Sequence, residues 1–123
     1  GNLLFVSGQI PIVDGKPGFI GRLGAEFDVD EGAAAARVCA LSLIAQAKDA
    51  LGGDLDRISR VVKLTGFVAA THDFPDHPKV VNGASDLFAE VFGDAGRHAR
   101  AAVGMASLPL GVAVEVEAIF EIS

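Results

Sequence analysis

The chain has no tryptophan and no tyrosine, and its ten lysines and arginines are outnumbered by sixteen aspartates and glutamates, a formal net charge of −6. With no basic excess to neutralise phosphates and no indole or phenol rings to stack on bases, a nucleic-acid partner is not expected. The single cysteine, Cys39, excludes an internal disulfide and suits a reducing compartment, so the expected location is cytoplasmic. Cys39 lies in an alanine-rich stretch with nothing nearby to lower its pKa, and it reads as core filler. His72, His77 and His98 follow no zinc spacing and have no second cysteine to join them, so no metal site is expected. Apolar runs are broken by Ser, Gly, Lys or Arg before the ~18–20 residues a membrane span requires, and no signal peptide is visible. The glycines of the run from Gly18 to Gly24 lack the Lys-Ser/Thr ending of a P-loop and do not match dinucleotide spacing; they read as turn and strand-edge glycines.

Half of the 123 residues are hydrophobic and 21% are charged, a balance that supports one folded domain, 1–123, and leaves apolar surface for burial between subunits. The chain starts at Gly1 and runs directly into a strand pattern, so a missing N-terminal piece is expected. Gly1 to Gln9 is rich in strand formers, and Asp14-Gly15 is a turn pair that returns the chain toward Phe19 and Ile20, giving two early strands. Asp28 with Glu31 three residues on is the spacing of a capping box, and a helix is expected to follow. Val38, Leu41 and Ala45 give that helix an apolar stripe, with Arg37, Ser42, Gln46 and Asp49 toward water, and Gly52-Gly53 stops it. Ile58 to Ala70 is apolar on both alternating faces, as for a strand covered on two sides. After Pro75 and Pro78, Val81, Ala84, Phe88 and Val91 mark a second helix ending near Gly93. In the last strand Val112, Val114, Val116, Ala118 and Phe120 alternate with Ala113, Glu115, Glu117, Ile119 and Glu121, one face core and the other polar. The order β-β-α-β-α-β-β is that of a two-layer α+β domain with two helices on one face of a mixed or antiparallel sheet.

Arg100 stands among small and apolar residues on what reads as an interior strand, where an unpaired guanidinium would cost several kcal/mol. Glu115 and Glu117 are candidate partners. If the last two strands pair through the Ser107 to Gly111 turn, Arg100 and Glu115 can share a sheet face, either as a permanent ion pair or as a ligand site. Ser7-Gly8-Gln9 ends the first strand with a small hydroxyl and a glycine, which admits a ligand close to the backbone or is an ordinary strand end. Asn82-Gly83 falls where the second helix is under way, and the plain reading is a surface amide.

The stretches VSGQIP (Val6 to Pro11) and VVKLTGFV (Val61 to Val68), with Asn82 and HARAAVGMASLPLGVAVEVEAIFE (His98 to Glu121), resemble the Rid/YjgF family, also described as L-PSP endoribonuclease-like or chorismate-mutase-like. The most specific part is Ala99-Arg100, then Leu108-Pro109, then Val114 to Ala118. The resemblance implies a homotrimer with a cleft at each subunit interface and hydrolytic deamination of reactive enamines and imines of small carboxylates, such as 2-aminoacrylate, without a cofactor. It also implies that Arg100 holds the substrate carboxylate bidentately while Glu115 orients or activates water. A carboxylate that close to arginine would stay ionised, which favours a base over an acid. Ser7, Gly8, Asn82 and the position of Ala102 complete the implied pocket. The chain departs from the family in reading Arg100-Ala101-Ala102 where many deaminases carry Arg-Ser-Cys, in placing His98 where a proline is usual, and in lacking the N-terminal segment with a pocket tyrosine. A divergent subgroup is therefore expected. The alternative is a non-catalytic or regulatory module that holds a small carboxylate in the same cleft.

Overall fold

The computed structural model describes Gly1–Ser123. In chain order the elements are β1 (Leu3–Gln9), β2 (Ile12–Val13), β3 (Lys16–Pro17), α1 (Val29–Ala50), β4 (Ile58–Ala69), α2 (His77–Phe92), β5 (Ala99–Met105) and β6 (Val114–Ile122), with short 3₁₀ turns between them. β1, β6, β4 and β5 form one sheet in that spatial order, and both helices cover one of its faces. The result is the expected α+β two-layer, chorismate-mutase-like arrangement on a mixed sheet. One detail differs near the N-terminus. Asp14 and Gly15, with φ of 53° and 77°, close only a two-residue hairpin, and Ile20 makes a single bridge to Val112 instead of entering a second long strand.

Local sequence sets the ends of the helices. The Glu31 backbone N–H donates to Asp28 Oδ1 at 2.9 Å, and the Asp28 N–H donates to Glu31 Oε1 at 3.1 Å, so the capping box forms and starts α1. Gly52 and Gly53 end it with φ of 66° and 94°. The buried stripe of α1 is not the expected one. Ala36, Cys39, Ala40, Leu43 and Ala47 are buried, whereas Leu41 is 51% exposed and Ala45 is also exposed. Alanine and glycine face inward because the two helices pack closely: a Cβ on Gly83 of α2 would collide with the Ala33 carbonyl of α1. On α2, Val80, Val81, Ala84, Leu87 and Phe88 are buried, while Val91 is 47% exposed. Phe88 meets Phe120 of β6 edge-on at a ring separation of 5.9 Å, which ties α2 to the sheet.

From Val114 on, the alternation of β6 is as expected: Val114, Val116, Ala118 and Phe120 are buried under the helices, and Glu115, Glu117, Ile119 and Glu121 project from the other face, whereas Val112 and Ala113 precede the strand and are both buried. That open face has no second layer within the chain. It carries Phe5, 69% exposed, and Val103, 39% exposed, beside Phe67 and Ile119. β5 and β6 do not pair. The α2 crossover returns the chain parallel to β4, so β5 lies at the sheet edge and β4 separates it from β6. Arg100 is thus on an edge strand, exposed, and not on an interior strand.

The Gly83 contact gives a direct test. Alanine is the better helix former by about 1 kcal/mol, but its methyl would push against backbone that cannot rotate aside. Gly83→Ala is expected to lose about 1–3 kcal/mol net and to lower the calorimetric midpoint by several degrees. A variant as stable as the parent would show that the helices do not approach so closely.

Candidate functional site

Arg100 pairs in register with Leu64, whose side chain is in the core, so the arginine leaves the edge of β5 on the helix side. Its Nη1 donates to Asn82 Oδ1 at 2.7 Å and to Ser85 Oγ at 3.2 Å, and its Nη2 reaches the Pro78 carbonyl at 3.4 Å. Asn82 and Ser85 are three residues apart on α2 and share a face, which is why both meet the guanidinium. All three acceptors are neutral, and Arg100 is in none of the four ion pairs of the chain. The ion pair with Glu115 or Glu117 does not form. His98 completes the group: its Nδ1 lies 2.6 Å from the Gly96 carbonyl and donates to it, and its Nε2 lies 2.9 Å from Ser85 Oγ. Asn82, Ser85, Arg97, His98 and Arg100 line a cavity of about 350 Å³. Ala102 lies two residues along the same face, half-buried against the core, and brings no polar group.

Glu115 belongs to a second cluster. Val6 pairs with Ala118 but Gln9 pairs with Val116, so one extra residue is inserted in β1 between these pairs. The bulge lets Ser7 and Gly8 stand together opposite Glu117, both toward the open face. The Glu115 carboxylate lies over Gly8, where any Cβ would collide with Oε2. The glycine thus makes room for a carboxylate of the same chain. Glu115 pairs with Phe67 across β4, three residues along from Leu64, the partner of Arg100. Two strand spacings and three residues separate the α-carbons of Arg100 and Glu115 by roughly 14 Å, on opposite faces of the sheet. The six sequence candidates therefore form two half-sites: Arg100, Asn82 and Ala102 on the helix side, and Ser7, Gly8 and Glu115 on the open side. The expectation of a shared face fails because β4 intervenes and the odd offset reverses the side chains. Ser85 and the Pro78 carbonyl were not foreseen as partners of Arg100, although Ser85 could have been found from its i+3 spacing to Asn82.

The chain is thus a small α+β domain whose arginine cluster and glutamate cluster lie on separate surfaces. Residues 1–121 match the family described as YjgF/chorismate mutase-like, putative endoribonuclease, and the chain belongs to that family. Protein TCP17 of Trypanosoma cruzi is 53% identical to it over 124 residues, which cover 100% of this chain and 77% of that protein. The crystal structure of Atu1372 from Agrobacterium tumefaciens, of unknown function, matches with a TM-score of 0.99 and 54% identity over 100% of this chain and 77% of that one. E. coli TdcF, solved with bound serine, matches less closely, with a TM-score of 0.65 and 27% identity over 100% and 83%.

Cys39 takes no part in either cluster. It is buried, its Sγ lies 3.6 Å from the Val114 carbonyl, and burial, with the Glu115 carboxylate adding to it, pushes the thiol up to about 12. The neutral thiol's contribution to stability is full below the ordinary value of 9.0 and is lost as pH rises toward 12. Native protein at pH 8 is expected to resist maleimide and to react once unfolded in urea. Rapid native labelling would contradict the burial.

Proposed function

We propose that the protein hydrolyses reactive imines or enamines of small carboxylate metabolites, in clefts that form between copies of the chain. The observation that carries this reading is the state of Arg100. A permanent cation is held by Asn82 and Ser85 in the lining of a cavity and meets no carboxylate of its own chain. A ligand carboxylate is the natural counter-charge for a guanidinium fixed in this way, through two parallel hydrogen bonds. That E. coli TdcF was solved with serine, itself a small carboxylate, is consistent with such a ligand.

The chemistry needs a second group. In an imine, water adds to the carbon of the C=N bond while a carboxylate takes its proton and passes it to the nitrogen; the carbinolamine then collapses, its hydroxyl proton also reaching the nitrogen, which departs as ammonia and leaves a 2-keto acid. Glu115 is the carboxylate of the other half-site, with Ser7 and Gly8 beside it. Since one chain separates the halves, Arg100 of one copy would work with Glu115 of another. The exposed apolar residues of the open face, Phe5 and Val103 among them, supply surface for that contact, and a homotrimer is the assembly proposed. Ala102 favours a second reading, a module that binds the carboxylate without turning it over, because the methyl group adds no nucleophile or proton donor to the Arg100 half.

Protein added to a pyridoxal-phosphate dehydratase reaction is expected to accelerate keto-acid release. Arg100→Met should abolish the effect, and Glu115→Gln should reduce it by about 10²–10⁴-fold. Carboxylate binding that depends on Arg100 without acceleration would replace the enzyme with the binding module. Variants indistinguishable from the parent in both binding and rate would overturn both readings.

A further inference from the structure

All three histidines of this acidic chain line cavities toward the two ends of β5, but only His98 belongs to the Arg100 cavity. His72 and His77 line a different and larger one, about 510 Å³, together with Arg22, Thr71 and Gly104. The two cavities share no residue, and this volume falls in the range of small-molecule sites, about 300–1,000 Å³.

The backbone around it is anchored. Arg22 is held by its neighbours: the Gly21 N–H donates to the Gly111 carbonyl, Leu23 is fully buried, and the Leu23 N–H donates to the Ala69 carbonyl, each bond 2.9 Å. The Thr71 N–H donates back to the Leu23 carbonyl at 3.0 Å, which locks the Arg22 and His72 segments side by side. The imidazole of His77 lies over Gly104, where a Cβ would come within 2.7 Å of Nε2, and it packs edge-on against Phe74 at 5.5 Å. Glycine at 104 is what admits the ring.

The charge at this cavity is unspent. Arg37, Arg60, Lys79 and Arg97 each meet a carboxylate, and Arg22 does not. The nearest acid in sequence, Glu26, bends back to accept the Arg22 backbone N–H at 3.0 Å. Asp73 is exposed and bonded to the Thr71 hydroxyl, which holds its carboxyl below the usual range, with the backbone and His72 adding to the effect. Arg22 and His77 line the cavity without a carboxylate partner of their own. His77 also opens the 16-residue α2, whose N-cap Asp76 makes no capping hydrogen bond and instead approaches Lys79 at 3.7 Å. The positive end of the helix adds to the field at the cavity.

We propose that this cavity is a second anion site, independent of Arg100, which takes a small doubly charged oxyanion through Arg22 and His77. A phosphate monoester and a dicarboxylate share that chemistry. The proposal does not rest on the deaminase reading, and its test leaves that reading untouched. Carbon–proton NMR of the three histidine rings would follow titrations with sodium phosphate and with sodium succinate, against sodium chloride at matched ionic strength. Saturable shifts of His77 and His72, with His98 still, are expected from at least one of the two anions, and which one assigns the source. Arg22→Met and His77→Gln should each weaken binding at least tenfold with unchanged amide spectra, while Arg100→Met should leave it within twofold. No saturable shift from either anion, equal affinity in both cavity variants, or binding lost with Arg100 would overturn the proposal.

Discussion

A strand sends successive side chains to opposite faces of its sheet, and that constraint governs where Arg100 and Glu115 stand. On β6 it buries Val114, Val116, Ala118 and Phe120 beneath the helices and forces Glu115 and Glu117 out on the other side. On β5 it aims Arg100, Ala102 and Gly104 toward α2, where Asn82, Ser85 and His77 meet the first and last of them. Among the breaks in the rule, the bulge at Ser7 and Gly8 turns two neighbours to the same face, and the glycine leaves the space that the Glu115 carboxylate fills; two more register shifts lie in β4, at Ile58–Arg60 and Val61–Lys63. Arginine and glutamate are separated by the same geometry that builds the core.

That separation makes sense of a sheet face left without cover. A chain that kept Arg100 and Glu115 together would neutralise both, since a close ion pair leaves little field for a ligand. Here the guanidinium is oriented by neutral oxygens and the carboxylate rests against a glycine, so the two are not paired with each other. The low basic content sharpens the pattern: of the arginines free of carboxylates, Arg22 and Arg100 line the two cavities that also gather every histidine.

Much of the fold was legible because its signals are local. The Asp28–Glu31 box, the Gly52-Gly53 stop and the alternation of β6 each depend on a few adjacent residues and appear where expected. What depends on partners was not legible. No local pattern says that β4 lies between β5 and β6, because strand order is decided by the α2 crossover and by which apolar faces find each other. The stripe of α1 was misplaced for another reason. Size usually marks the buried face, but here Gly83 brings the helices so close that alanines are buried and Leu41 is left outside. For the candidate site, the resemblance picked out Arg100, Glu115, Ser7, Gly8 and Asn82, while their division between two faces required the register.

The central claim is that the halves meet across copies, and subunit mixing tests it most directly. Arg100→Met and Glu115→Gln chains, each inactive alone, would be unfolded together and reassembled, and keto-acid release measured on the mixture. In a cyclic trimer with one interface site per pair, random mixing regenerates about one quarter of intact sites, and about that share of parental acceleration is expected. Mixed oligomers that form, as shown by native mass spectrometry, and still recover no activity would contradict it.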